Sequence, residues 1–118
     1  MKKYFLLPVI LLLTACSAQK PNLVKTTAPI LNITTAAAQM IEADLYADTA
    51  TLRNKTAAPV LLAYDLYWYN AQGVTQVYSP TQEAFHADLL LAARQKTDIV
   101  LHKPNASAVI YRLYVRLK

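Results

Sequence analysis

The alternation of apolar and polar residues over positions 60–69 is the clearest pattern in the chain. Apolar or aromatic side chains occupy every second position, namely Val60, Leu62, Tyr64, Leu66 and Trp68. Asp65, Tyr67 and Tyr69 fall on the other face. A period of two is typical of a β-strand, because successive side chains of a strand point to opposite faces. We therefore predict a central strand that buries Trp68, the only tryptophan of the sequence.

A tight turn and a returning strand are predicted directly after the central strand. The segment Asn70–Gly73 ends in the only glycine of the chain, at a position where a hairpin favours a positive φ angle. The next residues, Val74–Tyr78, have the composition of the second strand of a hairpin. Trp68 and Gly73 are thus predicted to have structural roles.

Other short strands are predicted along the chain, separated by turn-forming residues at intervals of roughly 8 to 12 positions. They cover Ile30–Ile33 at an edge, Thr49–Asn54, Phe85–Leu91, Thr97–His102 with Ile99 and Leu101 inward, and Val109–Leu117. In the last of these strands, apolar residues at odd positions alternate with Arg112 and Arg116. The pattern predicts an all-β protein, a small immunoglobulin-like antiparallel β-sandwich with Trp68 in its core.

Two segments allow more than one interpretation. Ala36–Tyr46 fits a short helical turn or irregular segment, because alanine favours a helix, but a strand over Ala43–Tyr46 competes with it. Residues 85–91 would also tolerate a helix. We expect one short helix at most.

The N-terminal residues have the pattern of an export signal. A basic start is followed by the apolar run Phe5–Leu13 and by small residues before Cys16. This run is shorter than the ~20 apolar residues that a transmembrane helix needs. We predict a signal peptide over residues 1–15, a flexible tether over 16–29 and a single domain over 30–118. A plain secretory signal with an incidental cysteine is the alternative.

The segment Leu13–Cys16, Leu-Thr-Ala-Cys, resembles the bacterial lipobox. The resemblance implies cleavage before Cys16, with a diacylglycerol on its sulfur and a third acyl chain on its nitrogen. Each buried methylene contributes roughly 0.8 kcal/mol, so several chains anchor a protein stably. Ser17 stands where an aspartate would favour the inner membrane. We therefore expect a lipid anchor in the outer membrane, facing the periplasm, and no cofactor beyond the covalent lipid.

Charge and composition exclude several kinds of chemistry. The formal charge of +5 becomes +3 without Lys2 and Lys3, a modest excess that suits anionic lipid or cell-wall polymers, or an ordinary solvated surface. Nucleic acid is not an expected partner of an exported lipoprotein. His86 and His102 lack any metal-ligand spacing, so no metal is expected. A single glycine excludes Gly-x-Ser-x-Gly and phosphate-binding loops, and we predict no enzymatic activity.

Tyrosine and arginine residues on the polar faces of two strands are the best candidates for a binding face. They are Tyr67 and Tyr69 on the central strand, and Arg112, Tyr114 and Arg116 on the last one. Protein interfaces are enriched in both residue types, which combine large contact area with a polar tip. Alternatively, a second sheet or the tether covers this face and makes it the rim of the core.

Three segments resemble the YcfL-like lipoproteins, also called the DUF1425 family. They are Leu52–Asn54, the hairpin Ala63–Gly73 and Tyr111–Tyr114, within a likeness that covers Leu31–Leu117. Asn70 replaces the more usual aspartate of the family, a mild change because both residues favour such turns. The resemblance implies a lipid-anchored β-sandwich and transfers no catalytic residue.

Two functions are compatible with these features. The first is a protein-binding or scaffolding lipoprotein of the cell envelope, which uses the tyrosine and arginine face. The second is a carrier or binder of a lipid or cell-wall ligand. An apolar pocket inside the sandwich would favour the carrier, whereas a flat tyrosine-rich patch would favour the scaffold.

Overall fold

A computed structural model describes residues 28–118, which contain eight strands and one short helix. In chain order the elements are β1 (Ile30–Ile33), α1 (Thr35–Met40), β2 (Ile41–Leu45), β3 (Thr49–Asn54), β4 (Val60–Tyr69), β5 (Thr75–Gln76), β6 (Phe85–Leu91), β7 (Lys96–Val100) and β8 (Ile110–Leu117). The predicted all-β fold with one short helix is confirmed. Within residues 28–118, the helix α1 is neither long enough nor apolar enough to cross a membrane.

The strands form two sheets. In the large sheet the order is β1–β8–β4, and the far edge of β4 pairs with β6 along its first part and with β5 at its end. The small sheet has the order β2–β3–β7. All pairs are antiparallel except β1 with β8, which run parallel. β4 is thus the central strand of the large sheet, as its sequence predicts.

The core lies on the inner face of the large sheet, where the period of two places it. The predicted inward residues of β4 and their counterparts on β8 are all buried, and these are Val60, Leu62, Tyr64, Leu66, Trp68, Tyr111, Leu113 and Val115. The ring of Trp68 packs against that of Tyr111 with 5.1 Å between the centroids. From the small sheet, Ala50 and Leu52 of β3 are also completely buried. Burial of this apolar surface is the main stabilising contribution.

The ambiguous segment after β1 contains both of the structures that its sequence allows. The side chain of Thr34 caps α1 by accepting a hydrogen bond from the N–H of Ala37 at 3.3 Å. The helix ends where Ile41 adopts an extended conformation and buries its side chain, which is 2% exposed. The helix propensity of alanine thus favours α1 over residues 35–40, and burial of Ile41 in the small sheet favours the strand that follows.

The hairpin and the last strand differ in part from their predictions. Gly73 has the expected positive φ, at 82°, but the returning strand is only Thr75–Gln76 instead of Val74–Tyr78. It ends early because Tyr78 forms its own turn, with its N–H donating to the carbonyl of Gln82 at 2.9 Å. β8 begins one residue later than predicted, and Val109, the first residue of the predicted strand, is 55% exposed.

Asn54, at the end of β3, holds two loops together inside the protein. Its buried side-chain nitrogen donates to the carbonyls of Ala58 at 2.8 Å, Ala92 at 3.0 Å and Leu91 at 3.2 Å. Its side-chain oxygen accepts from both the N–H and the hydroxyl of Thr56 at 2.8 Å. Because every polar atom of this side chain has a partner, the buried amide fixes the β3–β4 and β6–β7 connections to one another.

Candidate binding face

The pairing of β4 with β8 brings the predicted binding residues together on one surface. Their register places Tyr67 opposite Arg112, Asp65 opposite Tyr114 and Ala63 opposite Arg116. Because side chains alternate along each strand, these residues point to the side of the large sheet opposite the core. We call this side the outer face.

Four of the predicted residues form a contiguous group, the tyrosine–arginine patch, defined as Tyr67, Tyr69, Arg112 and Tyr114. The rings of Tyr67 and Tyr114 meet edge to face, 5.6 Å apart. The guanidinium of Arg112 lies 6.0 Å from the centre of the Tyr114 ring, and its Nη1 donates to the Tyr114 hydroxyl at 3.3 Å. Aromatic and cation–π contacts of this kind orient the side chains before any partner binds.

Arg116, the fifth predicted residue, has a different environment. Its Nη1 donates to Oδ2 of Asp65 at 2.6 Å, and Nδ1 of His86 bonds to the other carboxylate oxygen. Arg116 is therefore neutralised by a carboxylate of its own chain. Neither Asp65 nor His86 is predictable as a site residue from the sequence, because their contact depends on the β6–β4–β8 order, in which His86 lies opposite Asp65.

The balance of effects on Asp65 favours its charged form. Burial by itself would raise the pKa of this carboxyl, whose side chain is only 17% exposed. The hydrogen bonds from His86 and Arg116 and their charges outweigh the burial and hold the pKa below its ordinary value. The group is thus a carboxylate at neutral pH.

Arg112 has no comparable counter-charge among residues 28–118. Its Nε is buried and forms no hydrogen bond, and the acceptor of its Nη1 is a neutral hydroxyl. The hydrogen bond to Tyr114 raises the pKa of Arg112, so the group remains fully cationic. Burial raises the pKa of the neighbouring Tyr69, more than the charge of Arg112 lowers it, so the phenol stays neutral. The patch therefore presents one positive charge among tyrosine hydroxyls.

An open cleft of about 250 Å³ adjoins the patch, between β1 and the outer face of β8. Its polar lining comes from Asn32, Thr34, Asp65, Tyr114 and Arg116. Tyr114 belongs to both the patch and the cleft and is 37% exposed. The outer face thus combines an aromatic surface, a cation and an open cleft of mixed polar and apolar lining.

The described part of the chain contains no cluster of potential metal ligands. No group of three His, Cys, Asp or Glu side chains there is arranged to hold an ion. Nδ1 of His86 bonds to Asp65, and the backbone carbonyl of His102 accepts from the Tyr78 hydroxyl at 2.8 Å. The predicted signal peptide, Cys16 and all but the end of the tether lie outside the described residues.

Comparison with known proteins places the chain in a family. Residues 27–117 match the family described as "Protein of unknown function (DUF1425)". A Haemophilus influenzae protein, described as uncharacterised, is 39% identical to this chain over 116 residues, which cover 98% of this chain and all of the relative. The chain belongs to the DUF1425 family.

Two crystal structures share the fold. The structure of a DUF1425 family member from a Shewanella species matches with a TM-score of 0.52 and 25% identity, over 67% of this chain and 74% of the other. Campylobacter jejuni cj0090 matches with a TM-score of 0.51 over 79% of this chain and all of the other. Its 13% identity supports a common fold alone. The fold is thus shared with a solved member of the DUF1425 family and with one further crystal structure.

Proposed function

We propose that this protein is a non-enzymatic YcfL-like lipoprotein, anchored by Cys16 in the outer membrane and facing the periplasm, that binds another envelope protein. In this proposal residues 1–15 are a signal peptide, residues 16–29 form a tether, and the domain over 30–118 carries the binding surface. A flexible tether of this size would keep the domain close to the membrane, because its reach is roughly 5 to 6 Å times the square root of its length.

The anchor is supported by the lipobox-like segment that ends in Cys16. We expect Cys16→Ala to abolish lipidation and to leave the precursor with its signal peptide, because no other residue of the chain has a thiol. Metabolic labelling with a radioactive fatty acid measures this directly, with Ser17→Ala as a control that keeps the thiol. Undiminished label in Cys16→Ala would exclude the lipid anchor.

The single observation that carries the binding proposal is the preorganised tyrosine–arginine patch on the outer face. Tyrosine and arginine often act as anchors of protein interfaces, and here ring contacts already restrict both residue types. Side chains that are fixed before binding lose less conformational entropy when a partner docks. The patch is formed by side chains of neighbouring strands rather than by loops, which gives a partner a surface of defined shape.

A second candidate function is a carrier or binder of a lipid or cell-wall ligand. The basic excess of the chain and the 250 Å³ cleft favour it. This cleft is open to solvent and holds only about 250 Å³, below the roughly 300 to 1,000 Å³ of pockets that enclose a ligand, so it is too small to shield an acyl chain from water.

Cross-linking of the lipidated protein in its own envelope, followed by capture, tests the two functions against one another. The binding proposal predicts one reproducible protein partner, cross-linked through a photoreactive residue placed at Tyr67. The same residue placed at Tyr46, which is exposed near the small sheet, should not capture that partner. Recovery of glycan or lipid alone would favour the carrier function, and equal capture from both positions would contradict the assignment of the outer face.

A further inference from the structure

The arginines of the described residues differ in the groups that accept hydrogen bonds from their guanidinium. Arg53 pairs with Glu42, Arg116 pairs with Asp65, Arg94 donates to the carbonyl of Lys55, and Arg112 donates only to the hydroxyl of Tyr114. Arg112 also has the buried Nε without a partner. A guanidinium donor that is removed from water and left unbonded is unfavourable. A partner cannot reach the buried Nε, but Arg112 as a whole is only half-buried and has no charged partner within the described residues, so its terminal guanidinium N–H groups can take an acceptor that is supplied on binding.

None of the acidic side chains of the chain forms an ion pair with Arg112. All seven acidic residues lie between Glu42 and Asp98, inside the described part, and the first 27 residues contain none. Three of the seven form ion pairs with other basic groups, and Asp98 accepts from the Thr51 hydroxyl at 2.6 Å. Glu83 adds to the effect of burial in raising the pKa of Tyr69 but forms no ion pair with Arg112. The missing carboxylate is thus not a side chain of the same molecule.

We infer that Arg112 anchors a site for a carboxylate carried by an acidic segment of the partner protein, an inference that rests on the function proposed above. The planar fork of a guanidinium matches a carboxylate through two parallel hydrogen bonds. Contact with the Tyr114 ring holds that fork in place, and the hydroxyls of Tyr67 and Tyr69 stand on the same face.

Charge favours a carboxylate over a phosphate monoester. The site offers a single net positive charge, because Asp65 already neutralises Arg116. One carboxylate balances this charge, whereas a phosphate monoester with nearly two negative charges at neutral pH would remain undercompensated. A peptide segment also fits the surroundings, because the residues next to its carboxylate can contact the exposed Tyr114 ring and the open cleft beside β1, whose lining is partly polar and partly apolar.

The test uses the full-length lipidated protein in detergent micelles and an array of short peptides from the envelope proteins of the same cell. Each peptide is made in three forms, with its acidic residues intact, with each Glu and Asp replaced by Gln and Asn, and with phosphoserine in the acidic positions. The variants Arg112→Gln and Arg112→Lys are compared with Arg53→Gln, which removes an arginine charge from the small sheet. Circular dichroism confirms that each variant is folded.

We expect the wild type to bind a subset of the acidic peptides at least about tenfold more tightly than their amide forms, the range of a hydrogen bond to a charged group. Arg112→Gln should abolish that preference, Arg112→Lys should keep only part of it, and Arg53→Gln should retain it. Equal binding of acidic and amide forms, or a preference that survives in Arg112→Gln, would overturn the inference. Tighter binding of the phosphoserine forms would overturn the choice of a carboxylate.

The capture experiment at Tyr67 separates this inference from the proposed function. A protein partner that is captured through Tyr67 while the peptides show no acidic preference would leave the binding function standing and refute the carboxylate site. Absence of both the partner and the acidic preference would refute the two together.

Discussion

The two faces of one strand pair, β4 with β8, have opposite physical characters. On the inner face Leu66, Trp68, Tyr111 and Leu113 are at most 1% exposed. On the outer face Tyr114 is 37% exposed, and the side chain of Arg116 is 47% exposed. The same backbone hydrogen bonds thus support a dry core on one side and a polar aromatic surface on the other. Only the first of these faces should determine whether the protein folds.

Residues of the inner face contribute most of the free energy of unfolding, whereas the proposed binding function belongs to residues of the outer face. A side chain removed completely from water contributes about 1.5 to 3 kcal/mol or more, according to its size. Exposed charge pairs contribute about 0 to 1 kcal/mol, and most surface substitutions change stability by about 0.5 kcal/mol or less. Residues of the outer face can therefore be changed to test binding while the fold stays intact.

The largest effect is expected from truncation of the inner aromatic residue. Trp68→Ala should destabilise the domain by about 3 to 5 kcal/mol, because it leaves a cavity beside Tyr111 in a fully buried site. Many domains of this size have little more stability than that in total. Urea unfolding measures the change, with Tyr114→Ala as the matched aromatic truncation on the outer face. Equal losses in the two variants would break the distinction between the faces.

Tyr111→Phe tests how much the buried hydroxyl of Tyr111, on the inner face, contributes to stability. The Tyr111 hydroxyl donates to the carbonyls of Tyr46 at 2.5 Å and Thr49 at 3.3 Å, which joins the large sheet to the β2–β3 turn. Removal of this donor should cost about 1 to 2 kcal/mol, because it leaves the Tyr46 carbonyl without its hydroxyl donor, whereas the Thr49 carbonyl still accepts from the N–H of Tyr46 at 2.9 Å. Urea midpoints at neutral pH measure the loss, and Tyr46→Phe, at an exposed ring, should have almost no effect.

The same hydroxyl predicts a loss of stability in alkaline solution. Burial raises the pKa of Tyr111 to about 12, whereas the phenol of the unfolded chain ionises near pH 10. The neutral group therefore stabilises the fold fully below about pH 10, and this contribution decreases as the pH rises towards 12. Two pKa units correspond to about 2 to 3 kcal/mol. Urea midpoints measured between about pH 8 and 11 should decrease less steeply in Tyr111→Phe than in the wild type. An identical decrease would contradict the burial of this phenol.

A smaller effect of opposite sign is expected from Asp65 on the outer face. Its pKa is lower in the folded protein than in the unfolded chain, so its contribution is complete above about pH 4. The contribution is lost as the pH falls through the lowered value of the folded state. Asp65→Asn should therefore cost about 0.5 to 1 kcal/mol at neutral pH and less near pH 3, because Arg116 and His86 are largely exposed. Urea midpoints at the two pH values measure this, and a difference that grows in acid would contradict the assignment.

The core could be read from the sequence far better than the site. Regular alternation over Val60–Trp68 predicts both the position of β4 and its buried face, because burial of one face requires a period of two. The turn at Gly73 is equally predictable, since its φ of 82° suits a residue without a Cβ. Local patterns of this kind need no knowledge of which strands are neighbours.

Asn54, Asp65 and His86 were missed because their roles depend on distant residues. A polar residue before Lys55 and Thr56 has the composition of a turn, yet Asn54 is completely buried because the β6–β7 connection supplies acceptors 37 and 38 positions away. Asp65 meets Arg116 across 51 positions and His86 across 21. The candidate face itself was predictable residue by residue, but the pairing that distinguishes Arg116 from Arg112 was not.

Stability and binding can be measured together in one pair of double variants, of which one alters the outer face and the other does not. Tyr67→Ser with Arg112→Glu alters the outer face, and Tyr46→Ser with Lys96→Glu makes the same chemical changes in the part of the molecule built around the small sheet. Both should stay within about 1 kcal/mol of the wild type in urea unfolding. Recovery of the cross-linked partner should fall sharply in the first variant only, since interface anchors each contribute about 2 kcal/mol or more. Unfolding of the first variant would show that Tyr67 belongs to the core, and unchanged recovery from a folded protein would show that the outer face is an ordinary solvated surface.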